Sequence, residues 1–156
     1  MKVHLIAVGR LRAGPQKNLF EDYRTRFDRM GRALSLGPLN VVEVEDRKGG
    51  GMAAEGALLA KAVPAGAVLV VMDERGKSVG SPKFAEKIAS WRDAGRADLA
   101  FVIGGADGVD PNLRGRADFV LSFGPMVWPH MLARVMLSEQ LYRAVSILAG
   151  APYHRV

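Results

Sequence analysis

Apolar runs and the polar breaks between them divide the chain into a repeated strand–helix pattern. Residues 2–8 alternate in part and end at Gly9, which predicts a first strand. Beyond a turn at Gly14-Pro15, Leu19, Phe20, Tyr23, Phe27 and Met30 recur at helical spacing, with Arg24, Arg26 and Arg29 elsewhere on the cylinder. That is an amphipathic helix with a core stripe and a basic outer side. Gly37-Pro38 breaks it, residues 40–44 predict a short second strand, and residues 53–63 an Ala- and Leu-rich helix ended by Pro64 and Gly66. The second half is sharper. Residues 67–72 (AVLVVM) and 99–103 (LAFVI) are continuously apolar, as strands buried on both faces of a parallel sheet must be. Between them, Phe84, Ile88 and Trp91 share one face of a helix that Ser81 is placed to cap. A short segment at 111–116 leads to a last strand, 119–121. Pro129 then opens the longest helix, as a proline can in a first turn.

This alternation predicts one α/β domain over residues 1–156, a mostly parallel sheet with helices on both faces. Ligands in such sheets lie outside the carboxyl ends of the strands. Three stretches gather there: Met72-Asp73, Gly104 to Gly108, and Phe123 to Trp128. The glycines of the second suit a tight turn or a close backbone approach to a ligand. The third has free amides and carbonyls beside a helix start, which fits a ligand with polar edges and a carboxylate. The last helix carries two apolar stripes, Ala133, Leu137, Leu141, Ala144 and Leu148 on one side and Val135, Tyr142 and Val145 on another. Burial of both predicts a homodimer.

Composition narrows the chemistry. The chain has no cysteine, so neither a disulfide framework nor thiol chemistry is available. With only His4, His130 and His154 besides, no metal site is expected. Nothing at the start resembles a signal peptide and no apolar run is long enough to span a bilayer, so the expected location is the cytoplasm. Twenty-two Lys and Arg against sixteen Asp and Glu give +6, a field that favours an anionic partner such as nucleic acid. Arg10, Arg12 and Lys17 around the first turn, and Arg47-Lys48 in DRKGGG, are the basic loops suited to it. The GGADG run has neither the spacing nor the position of a dinucleotide-binding fingerprint, and no G-x-S-x-G is present. Asp73, Glu74 and Asp107 as a magnesium site is the weaker reading of three loop carboxylates. A non-enzymatic RNA- or ribosome-binding module remains open. It accounts for the basic loops but not for three backbone-rich turns at one edge.

IGGADG (103–108), SFGPMVWPHMLARVMLSEQLYRA (122–144) and PYHRV (152–156), together with VHLIAVGR (3–10), resemble the RlmH-type rRNA methyltransferases of the SPOUT class. The likeness runs over almost the whole chain; PH-x-L-x-R, E-Q-x-Y-R-A and the terminal P-Y-H are its specific parts. It implies a trefoil knot in the carboxyl-terminal part, a homodimer, and S-adenosylmethionine as cofactor. It also implies methylation at N3 of a pseudouridine in large-subunit rRNA on the assembled ribosome. The cofactor contacts it implies are Met72, Gly104, Phe123, Gly124, Pro125, Met126, Val127 and Trp128. Val127, Phe123-Gly124 and Asp107 depart from the usual small polar residue, Leu-Ser and Glu, changes that spare backbone contacts but not a side-chain hydroxyl. The tail, by itself a frayed terminus, becomes the expected contact to the target base. His154 is its acid/base or hydrogen-bond partner, Tyr153 stacks or donates, and Arg155 neutralises phosphate. Arg134 is a candidate for a phosphate or the cofactor carboxylate.

Overall fold

The computed structural model describes residues 1–155. Five strands, β1 (Lys2–Val8), β2 (Leu39–Val44), β3 (Val68–Lys77), β4 (Asp98–Ile103) and β5 (Phe119–Leu121), form one sheet in the order β2-β1-β4-β3-β5. All four pairings are parallel, so every carboxyl end emerges along one edge. The helices are α1 (Pro15–Gly31), α2 (Gly51–Ala62), α3 (Ser81–Asp93), the one-turn α4 (Pro111–Gly115) and α5 (His130–Leu148).

Successive strand residues point to opposite faces, and each face has its own core. Val3, Leu5 and Phe101 meet Phe20 and Phe27 of α1, Phe84 and Ile88 of α3, and Leu137 and Leu141 of α5. Ile6, Val71 and Val102 meet Leu59 of α2 and Leu113 of α4 on the other face. The expected layering of helices on both faces is therefore present, with three on one side and two on the other. Among the described residues no helix is long and apolar enough to cross a membrane.

Several boundaries differ from the sequence pattern. Helix α1 begins at Pro15, so Lys17 is in its exposed first turn rather than in a loop, and Leu19 stays 45% exposed. Gly80, not Ser81, is the N-cap of α3; the Ser81 hydroxyl instead donates to Gln140 Oε1 at 2.7 Å, tying α3 to α5. Pro129 is the N-cap of α5, outside the helix. Strand β3 continues past its apolar run. Met72 and Lys77 both pair with Leu121, and the residues between them leave the ladder. Gly76 allows this, since a Cβ there would come within 2.5 Å of Val120 O.

Both apolar sides of α5 make contacts within one protomer, while Ala133, Tyr142 and Leu148 stay half-buried. Val135 and Val145 are buried along with Leu137, Leu141 and Ala144. Tyr142 packs against Tyr23 of α1, ring centroids 6.2 Å apart, and against Tyr153 of the tail at 4.5 Å.

Candidate active site at the carboxyl edge

The three turns expected at the edge meet there. Gly104 at the end of β4 is fully packed: a Cβ would lie 2.4 Å from Gly108 O. The turn closes on itself, with Gly108 N donating to Gly105 O at 3.1 Å and Gly108 at φ +84°, a backbone state natural to glycine. Asp110 follows and accepts from Asn112 N at the start of α4.

The 122–128 segment is shaped by Ser122. Its Oγ accepts from Gly124 N at 3.0 Å and lies 3.2 Å from Glu74 O, joining this turn to the irregular part of β3. Gly124, at φ +101°, turns the chain outward. Met126, Val127 and Trp128 are then 70%, 86% and 39% exposed. Apolar side chains held this far into solvent need a reason.

Together these turns enclose a cleft of about 370 Å³. Met72 and Gly104 form its floor, and Phe123, Gly124, Met126, Val127 and Trp128 form its other wall. Of the eight expected cofactor contacts only Pro125 is outside this lining; it is exposed at the bend. His130, in the first turn of α5, joins the wall. Its Nδ1 is buried without a hydrogen-bond partner among the described residues.

Two charged residues are spent on scaffolding. Asp73 Oδ2 is 3.1 Å from Arg114 Nη1 and 3.5 Å from Arg75 Nη1, and its Oδ1 accepts from Arg75 N. That pairing leaves it a poor member of any magnesium set. Arg134, a candidate for an anionic ligand on sequence grounds, points inward with 1% of its side chain exposed. It donates to Val8 O at 2.8 Å, to Gly9 O at 2.7 Å and to Glu43 Oε2 at 2.7 Å. The signal was present in the sequence: Arg134 lies three and seven positions before Leu137 and Leu141, on the apolar row. Burial works to raise the Glu43 carboxyl pKa, but the Leu11 amide and Arg134 outweigh it and hold Glu43 below the ordinary carboxylate range.

The tail is ordered against α5 rather than against the cleft. Tyr153 Oη donates to Glu139 Oε1 at 2.9 Å, and Arg143 Nη1 lies 3.2 Å from His154 Nδ1. Arg143 also donates through Nε to Glu139 Oε1 at 3.0 Å, and its guanidinium sits 4.8 Å over the Tyr153 ring. Burial first, and then the bond to Glu139, push the Tyr153 phenol well above the usual tyrosine range, so it remains a donor. Arg155 is exposed, and Val156 lies outside the described residues. Glu139, which joins these groups, was not singled out from residue chemistry, although it opens the E-Q-x-Y-R-A motif.

The profile of the family described as "Predicted SPOUT methyltransferase" matches residues 1–154. The chain belongs to the SPOUT methyltransferase family. Among its relatives, "Ribosomal RNA large subunit methyltransferase H" of Ruegeria pomeroyi is 70% identical over 156 residues, covering 100% of both chains. The protein of the same description from Roseobacter denitrificans is 70% identical over 155 residues, 99% of each. A solved structure, that of a probable methylase family protein from Haemophilus influenzae, aligns with 99% of this chain and 70% of its own. Its TM-score is 0.52 at 15% identity, a likeness of fold.

Proposed function

We propose that this SPOUT methyltransferase acts on large-subunit rRNA, transferring a methyl group from S-adenosylmethionine to N3 of a pseudouridine on the assembled ribosome. The reading includes a single SPOUT domain, cytoplasmic location and a homodimer. Its carboxyl-terminal part is taken as knotted on the family likeness, and the far end of β3 at Glu74, Gly76 and Lys77 lies against Val120 to Ser122. End-to-end identity to relatives of that description supports the substrate class.

The observation that carries the reading is the cradle at Gly104, where only a residue without a side chain fits, facing the exposed apolar run Met126 to Trp128. Backbone amides and carbonyls of residues 104–108 and 122–128 would hold the polar edges of an adenosine, with Met72, Val127 and Trp128 against its faces. The positive end of α5 at His130 would favour a carboxylate. When bound, the cofactor supplies an electrophilic methyl group on a sulfonium. What the protein contributes is mostly placement, which can lower a barrier by roughly 7 to 11 kcal/mol when reacting atoms are well aligned. Closing Met126 to Trp128 over the cleft would also exclude water from it.

Arg10, Arg12, Arg47 and Lys48, exposed after β1 and β2, stand on the same edge as the cleft and would meet rRNA phosphates. The dimer finds its support in the family likeness and in exposed Leu19 beside a second cavity between α1 and α5.

Calorimetric titration with S-adenosylmethionine, followed by methylation of ribosomes lacking the modification, tests the reading. Saturable binding and methyl incorporation at one pseudouridine are expected. Binding to ribosomes without any uptake of S-adenosylmethionine would leave a basic RNA-binding module instead.

A further inference from the structure

The cleft shares a wall, Phe123 and Gly124, with a second cavity of about 620 Å³ bounded by Tyr23, Phe84 and Glu139. The tail is fastened to the wall of that second cavity, because Tyr153 donates to Glu139. One residue further on, His154 Nδ1 faces Arg143 Nη1 at 3.2 Å. A guanidinium has five N–H donors and no acceptor, so Nδ1 must offer its lone pair in this contact. The one proton of the neutral ring is then on Nε2. Arg143 is in no position to yield: Glu139 grips it through Nε, and the Tyr153 ring lies beneath it. A histidine acting as general base needs a free lone pair. Here the lone pair is occupied, and what the ring can still present is a donor.

We propose that His154 serves the target as a fixed Nε2–H donor to a carbonyl oxygen of a uracil-type imide, and that Arg143 is the positioning residue that sets this tautomer. The proposal rests on the rRNA methyltransferase reading and narrows it from acid/base to hydrogen-bond donation. Alkylation at N3 turns the N–H bonding pair into the N–CH3 bond, while the methyl donor's C–S pair returns to sulfur and the proton leaves to water. As that proton departs, negative charge gathers on the two flanking carbonyl oxygens. A preorganised donor aimed at one of them stabilises the charge where it develops. Tyr153, whose proton is committed to Glu139, has the supporting task of seating the tail.

Two measurements on the full-length protein test this. Long-range 1H–15N correlation of the imidazoles, with His154 assigned by its disappearance in His154→Gln, reads the tautomer without substrate or cofactor. The Nε2–H pattern is expected in the wild type and in Arg143→Lys, which keeps a donor, and a mixed pattern in Arg143→Met. Turnover on ribosomes then separates donor from base. Glutamine places an amide N–H near the position of Nε2 but cannot accept a proton at neutral pH. His154→Gln should therefore stay within about tenfold of wild type while His154→Ala falls by roughly 10²-fold or more, with S-adenosylmethionine affinity the same in both. An Nδ1–H pattern in the wild type, or a His154→Gln as inactive as His154→Ala, overturns the proposal alone. A wild type that takes up the cofactor yet methylates no pseudouridine removes the underlying reading, and the proposal with it.

Discussion

Arg134 and Glu43 show how a charge can be buried in this fold and what it holds in place. The guanidinium fixes the first turns of α5 to the ends of β1 and β2, and therefore fixes the segment before His130 that walls the cleft. Arg134→Met removes the charge, leaves Glu43 with the Leu11 amide alone, and takes a donor from two carbonyls. Breaking a buried pair costs about 3 to 5 kcal/mol; the lower end applies because Glu43 is 30% exposed. A lowered melting temperature and weaker S-adenosylmethionine binding are the expected readings. The pair also has a pH signature. Glu43 titrates lower when folded than when unfolded, so its stabilisation is complete above the ordinary glutamate value of about 4.3. It fades as the pH falls through the depressed folded value. Denaturant melts of wild type and variant should converge on acidification, and a constant gap would contradict the assignment. Gly104 gives a second test at this scale. Its Cβ would displace the Gly108 carbonyl, so Gly104→Ala should lose about 1 to 3 kcal/mol and most cofactor affinity, measured by thermal melts and calorimetry. These two residues also mark what a sequence discloses. A glycine after a buried strand advertises a close approach, and Gly104 was legible. Arg134 was legible as a cation on an apolar row but its partners were not, because the acceptors that turn it inward lie 91 or more positions away in the chain.

At the scale of elements, the apolar runs at 67–72 and 99–103 were enough to place β3 and β4 and to make the sheet parallel, since burial on both faces leaves no other pattern. The extension of β3 to Lys77 was hidden because its residues are polar. It depends on Gly76 lying against Val120 and on Lys77 meeting Leu121, contacts set by a strand some forty residues later. The two stripes of α5 were also legible, and within one protomer α1 and the tail pack on the second through Tyr142. The tail itself behaves as an element, pinned through Tyr153 and His154 to Glu139 and Arg143. Deleting residues 153–156 should leave S-adenosylmethionine affinity unchanged, lower the melting temperature by a few degrees, and cut turnover on ribosomes by roughly 10²-fold or more. Wild-type turnover in the truncated protein would strip the tail of its role.

For the whole molecule, the excess of +6 is not spread evenly in its usable form. Arg75, Arg114, Arg134 and Arg143 are engaged by carboxylates, whereas Arg10, Arg12, Arg47 and Lys48 are exposed beside the edge that bears the cleft. Ribosome affinity should fall linearly with the logarithm of salt concentration, each phosphate contact contributing about 0.7 to 0.9 to the slope. Replacing those four residues by Gln should flatten the slope by about 3. An unchanged slope would put the RNA on another face.

The bond from Arg134 to Val8 and Gly9 has a further consequence, for biosynthesis. Domains take shape from the amino end as they are made, yet here the end of the first strand waits for a partner made near the close of translation. A nascent chain arrested before α5 would carry an open slot at Glu43, lined by a carboxylate without its guanidinium and two carbonyls without their Arg134 donor. Limited proteolysis of arrested chains should find β1 and β2 cut readily until α5 has emerged and seated.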